Sequence, residues 1–141
     1  MKRHCFTQAE HAQSQRRRGT AATEFAVCLP ILIVLLIGTI EACSMIYLKQ
    51  SLSVASYEGI RASVASGATT ASVTTACNRI LTARNVQAAT ITITPSGFET
   101  QPAETLITVR VSAPAASNSI FSGWFYDTIV IDGQATMMKE F

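Results

Sequence analysis

The chain has 141 residues, room for one small domain beside an anchoring segment and too few for two domains. Hydrophobic residues make up 48% of it and charged residues only 14%, with the apolar excess gathered in one block, unlike a uniformly patterned soluble domain. The net charge of +2 conceals a division: residues 1–19 hold five basic residues against Glu10, or +4, and the rest holds six basic against eight acidic, or −2. A net basic charge in one short terminal piece, rather than over a folded surface, argues against nucleic acid as a partner.

The first element is that basic leader, ending in Arg16, Arg17 and Arg18. Positive charge beside an apolar segment is held in the cytoplasm, so these arginines are expected to set topology, with residues after about Leu48 outside. From Phe25 to Ile40 sixteen residues carry no charge. At the helical rise they reach roughly 24 Å, and roughly 36 Å if the helix continues through Leu48, so a helix crossing a bilayer must run past Glu41. The expected division is a cytoplasmic leader over 1–19, a transmembrane helix over 20–48 and an exported domain over 49–141.

Two glutamates frame the apolar run. An acidic side chain costs about 2.5–3.5 kcal/mol at a bilayer centre and less near its edge, so Glu24 and Glu41 need partners. Four residues before Glu24, on the same helix face, stands Thr20. It becomes cationic only if the chain is cut between Gly19 and Thr20, freeing its amine.

Beyond the run, Met45, Leu48, Leu52, Ala55, Gly59 and Ala62 recur at alternating intervals of three and four, with Gly38 and Glu41 on the same stripe. A helix from Thr20 to about Ser66 is expected, closed by Gly67. The small residues Ala55, Gly59 and Ala62 permit close approach of another helix, and Glu41 on that stripe invites a buried partner from a neighbour. The stripe serves equally to cover the chain's own sheet. A second helix is expected from about Ala71 to Arg84, capped by Thr69 or Thr70, with Val73, Ala76, Cys77, Ile80 and Leu81 on one face and Asn85 closing it.

The period then falls to two. Ala89, Ile91 and Ile93 alternate with threonines, as do Ile107, Val109 and Val111 with polar residues, and Pro95–Pro102 joins the two strands as a hairpin. A third strand is expected over about Thr128–Met138, with Ile129, Ile131, Ala135 and Met137 on one side and Gly133 as a candidate bulge. Three consecutive strands form an antiparallel sheet that needs cover on one face. The fold class expected is therefore α+β: a long N-terminal transmembrane helix continuing into an exported domain, where a second helix packs on a three-stranded antiparallel sheet. Between strands two and three, Phe121, Trp124, Phe125 and Tyr126 read foremost as a cap on the core, with a docking patch or an interfacial anchor as alternatives.

Of four cysteines, Cys5 precedes the anchor, Cys28 and Cys43 lie within it and only Cys77 lies beyond. A single thiol builds no internal disulfide framework, and Cys77 at an apolar helix position reads as an inert core residue, or else as an intermolecular bridge. Both histidines, His4 and His11, fall in the leader, which leaves the rest without a histidine-based nucleophile pair or metal site. The acidic residues Glu99, Glu104, Asp127 and Asp132 are separated by strands and turns, and no phosphate-binding glycine loop occurs. No enzyme and no cofactor are expected.

The stretch "RRRG" followed by "TAATEF" and an apolar helix resembles the type III signal of type IV pilin-like proteins. From Glu24 onward the chain resembles the TadE-like proteins of tight-adherence pilus systems: Glu24, Phe25 and Ala26 open the segment, Leu29-Pro30, Gly38 and Glu41 follow, and Ala55, Glu58, Gly59 and Arg61 close it. The final "DGQATMMKE" is also similar to that family's last strand. Ser56-Tyr57, Cys28 and Cys43 depart from the family's usual residues. The resemblance implies a minor pilin or pseudopilin, cut after Gly19 by a prepilin peptidase, with Glu24 pairing with the Thr20 amine of its own or a neighbouring subunit. It also implies as partners other pilin or pseudopilin subunits, the inner-membrane assembly platform and membrane lipid. The location implied is the bacterial inner membrane, single-pass with the C-terminus outside, or the pilus surface after assembly. Two other readings compete: a lipid-anchored periplasmic binding protein, with Ile40-Glu41-Ala42-Cys43 as a lipobox and Arg16-Arg17 as a twin-arginine signal, and an uncleaved membrane-anchored interaction protein.

Overall fold

A computed structural model of the chain describes residues 4–121 and 128–140, residues 4–18 as helical backbone alone. The side chains of His4, Cys5, His11, Arg16, Arg17 and Arg18, and the residues Trp124, Phe125, Tyr126 and Asp127, lie outside the described set. The elements are α1 (His4–Ser63), α2 (Thr70–Ala83), β1 (Thr90–Thr94), a short 3-10 turn (Phe98–Thr100), β2 (Leu106–Pro114) and β3 (Val130–Met138). This is the α+β arrangement that the change of period predicts. The chain divides into two compact units, Met1–Ile40 and Glu41–Phe141.

Helix α1 is longer at its start and shorter at its end than expected, running through the Gly19–Thr20 bond and ending at Ser63. Alanine, glutamine and arginine in the leader are good helix formers, so nothing local stops the helix before Thr20. Pro30 sits within it and withholds one N–H from the helical ladder. In the first unit the run is exposed along most of its length, Phe25, Val27, Ile31, Leu32, Val34, Leu35 and Leu36 included, with Ile37 half-buried.

The second unit begins on Glu41 and is organised by the stripe along α1. Glu41, Met45, Leu48, Leu52, Ala55 and Gly59 are all buried, as are Ser51, Ser56, Ile60 and Ser63 beside them, while Ala62 is half-buried. They close over one face of the sheet, where Ile107, Val109, Val111 and Ala113 of β2 are wholly buried. Helix α2 adds Val73, Cys77 and Leu81 to the same core. Its start is held by a reciprocal cap: Ser72 N–H donates to Thr69 Oγ1 at 3.2 Å and Thr69 N–H to Ser72 Oγ at 3.1 Å.

The strands are antiparallel in the order β1-β2-β3. β3 keeps regular register with β2, pairing Val111 with Gly133, so Gly133 is not a bulge. A glycine is needed there for another reason. A Cβ on it would lie 2.5 Å from the Leu52 carbonyl carbon and the Ser53 nitrogen, so the backbone of α1 occupies the space of a side chain. Gly59 plays a similar part, since its Cβ would meet Cys77 Sγ at 2.4 Å and Val109 Cγ1 at 3.1 Å.

The hairpin between β1 and β2 does more than turn the chain. Gly97, left-handed at φ 73°, leads into the 3-10 turn and Phe98 is driven into the core. Lys139 Nζ donates to the carbonyls of Phe98, Glu99 and Gln101 at 3.2, 3.1 and 2.6 Å, pinning the hairpin to the end of β3. Glu99 in turn accepts from the backbone N–H and the hydroxyl of Thr70 at the start of α2. The N–H first and the hydroxyl second hold its carboxyl below the usual carboxylate range.

Candidate functional site

The residues singled out by sequence fall into two groups that the structure does not bring together. In the first unit, Gly19, Thr20, Glu24 and Phe25 are exposed along α1. A Cβ on Gly19 or on Gly38 would meet nothing within 4 Å. Among the described residues this unit buries none of its apolar side chains, and an apolar helix without a polar face is stable only in an apolar medium or against other helices.

In the second unit, Leu52, Ala55, Gly59 and Ala62 lie against the chain's own sheet and second helix. Glu41 has its partners inside the same chain. Its carboxylate accepts from the Ser119 hydroxyl through Oε1 and from the Phe121 N–H at 3.4 Å through Oε2, leaving it 1% exposed. Both donors stand in the connection between β2 and β3. A buried carboxylate without donors would be costly, and two donors on two oxygens meet that need.

Three further contacts set the sheet's register on α1. Lys49 Nζ donates to the Asp132 carbonyl, the Leu52–Ser53 backbone abuts Gly133, and Gly59 meets Val109. Along α1 the contacts thus climb from the β2–β3 connection at Glu41 toward the C-terminal half of β3. Ser119, Lys49 and Gly133 carry this arrangement without a local signal, because each acts on a partner far away in sequence.

Cys77 is fully buried, its thiol donating to the Ala55 carbonyl at 3.4 Å, and burial pushes its pKa up to about 11. Cys28 and Cys43 are exposed on α1. Three acidic residues of the second unit are occupied structurally: Asp132 pairs with Arg110 at 3.3 Å, Glu58 faces Arg61 and Arg79 at 4.0 Å, and Glu99 caps α2. Among the described residues no cluster of three His, Cys, Asp or Glu side chains is placed to hold a metal. A hollow of about 240 Å³ lies between the end of α1 and the hairpin, lined by Ser63, Gly67, Phe98, Glu99 and Lys139 among others. The ammonium of Lys139 is there committed to three carbonyls and the carboxylate of Glu99 to Thr70, which leaves no poised acid–base pair.

These features define a class: a small α+β unit carried on one N-terminal helix that is long and apolar enough to cross a membrane. The family model described as TadE-like protein matches residues 19–61, opening on Gly19 and closing on Arg61. The chain thus carries along α1 a segment similar to the TadE-like family, which is associated with the tight-adherence pilus. No curated protein and no solved structure matches the chain.

Proposed function

We propose that the protein is a minor pilin or pseudopilin of the tight-adherence pilus system, cut after Gly19 by a prepilin peptidase and assembling through the apolar part of α1. The observation that carries this reading is that the TadE-like match begins at Gly19 and takes in the whole apolar run. The leader 1–18 stands outside it. The amine that the cut creates on Thr20 lies one helical turn before Glu24 and neutralises it, in its own subunit or the next, so that the carboxylate enters an apolar environment paired. The sixteen uncharged residues after Glu24 leave lipid when other such helices replace it. Arg16, Arg17 and Arg18 hold the leader inside, and the second unit is exported.

A lipid-anchored form is disfavoured by one contact. Cleavage before Cys43 would discard Glu41, whose carboxylate is buried under Ser119 and Phe121 in the second unit.

Mass spectrometry of the mature N-terminus tests the reading. The expected result is Thr20 as first residue in cells with an active prepilin peptidase and an intact leader in cells without it. Glu24→Ala is expected to abolish incorporation into filaments while leaving membrane insertion intact. Assembled protein that keeps its leader, or that carries lipid on Cys43, overturns the proposal.

A further inference from the structure

The second unit leaves four large apolar side chains uncovered at one end: Ile120 is 64% exposed, Val130 62%, Ile129 45% and Phe121 38%. They are neighbours in pairs, and the Ala115 N–H donates to the Ile129 carbonyl at 2.8 Å, holding the two arms of the β2–β3 connection together at their base. The middle of the sheet's outer face is polar, with Thr90, Thr92, Thr108, Arg110, Gln134 and Thr136 and the Thr108 and Thr136 hydroxyls bonded at 2.8 Å, while its far end carries the exposed pair Leu106 and Met138. A contiguous exposed apolar patch marks an interaction surface, and the position of this one along α1 says what it meets.

Its depth follows from Glu41. The hydrocarbon core of a bilayer takes about 20 helical residues, so a span opening at Phe25 reaches to about Ser44, past Glu41. Ser119 and Phe121 are hydrogen-bonded directly to Glu41 and stand at the same level along α1. The contacts of Lys49 with Asp132 and of Leu52–Ser53 with Gly133 put the start of β3 at this end as well. The lipid boundary and the uncovered end of the sheet therefore coincide along the helix.

We infer that Ile120, Phe121, Ile129 and Val130 form a lipid-facing surface that seats the second unit in the interface of the bilayer crossed by α1. The inference rests on the anchored reading of α1 made above. It also accounts for Glu41. A carboxylate close to the end of the span is kept from lipid by the Ser119 hydroxyl and the Phe121 N–H, and the same two bonds fasten the lipid-facing residues at the height where lipid ends. Glu41 is a positioning residue for this surface.

The test uses the full chain in phosphatidylethanolamine–phosphatidylglycerol vesicles, with the photoreactive residue p-benzoylphenylalanine replacing Leu32, Ile120, Val130 or Leu106 in turn. Leu106 is equally exposed but pairs with Met138 at the opposite end of the sheet. After irradiation, mass spectrometry is expected to find lipid adducts at Leu32, Ile120 and Val130 and their loss at Leu106. Lipid adducts at Leu32 with none at Ile120 and Val130, equal adducts at Leu106, or cross-links from Ile120 and Val130 to a second copy of the chain would overturn the inference alone. Failure at Leu32 would overturn the anchored reading and this inference with it.

Discussion

Helix α1 contains two apolar stretches that solve the same problem in opposite ways. From Phe25 to Ile40 large side chains project on every side and find no cover in their own unit; from Glu41 to Ser63 a single stripe is apolar or small, and the chain's own sheet and second helix cover it. The difference lies in periodicity as well as in hydrophobic content. A helix apolar all round has no dry side to turn inward and draws its stability from its surroundings, whereas a stripe with a polar back can close a water-exposed core.

The sharpest way to break this comparison is to truncate one leucine in each stretch. Leu52→Ala is expected to destabilise the second unit by about 2–5 kcal/mol, through lost burial and the cavity left behind. Leu32→Ala is expected to change that unfolding by no more than about 0.5 kcal/mol, since Leu32 is exposed in the other unit. Chemical denaturation of the full chain in detergent micelles, followed by near-UV circular dichroism, measures both. Equal losses would mean that the two stretches are stabilised alike.

Glycines sharpen the contrast. Gly133→Ala places a methyl group against helix backbone that has no flexible end to yield, and is expected to cost about 3 kcal/mol. Gly38→Ala meets nothing and is expected to leave the unfolding midpoint of the second unit in place. Thermal melts of the two variants against the parent chain decide it.

Cysteines give the smallest effect. Burial favours the neutral Cys77 thiol, so its folded pKa of about 11 stands above the ordinary 9.0. Its contribution to stability is complete below pH 9 and fades as the pH rises toward 11. At pH 8 in micelles, a maleimide is expected to leave the buried Cys77 unreacted until the second unit unfolds. Labelling of Cys77 in the folded chain would show that the second unit opens readily.

Much of the architecture was legible because it depends on local periods. Sixteen uncharged residues announce a lipid-compatible helix, spacings of three and four announce the stripe, and alternating Ile and Thr announce half-buried strands. Phe98 is an exception: it stands in a hairpin that reads as a polar turn, yet it is buried because Gly97 and Lys139 fold the turn back over the core. Gly133 has two local explanations, bulge or close approach, and only the position of α1 chooses between them.

The amino-acid order alone determined which segment is apolar on all sides, where the charge division falls and which helical and strand faces are apolar, because each depends on residues a few positions apart. Tertiary structure alone decided what the stripe covers, why Gly133 has no side chain, and that Glu41 is satisfied by Ser119 and Phe121 within its own chain. These contacts join residues about eighty positions apart, and only packing of the sheet on α1 sets which donor reaches which acceptor.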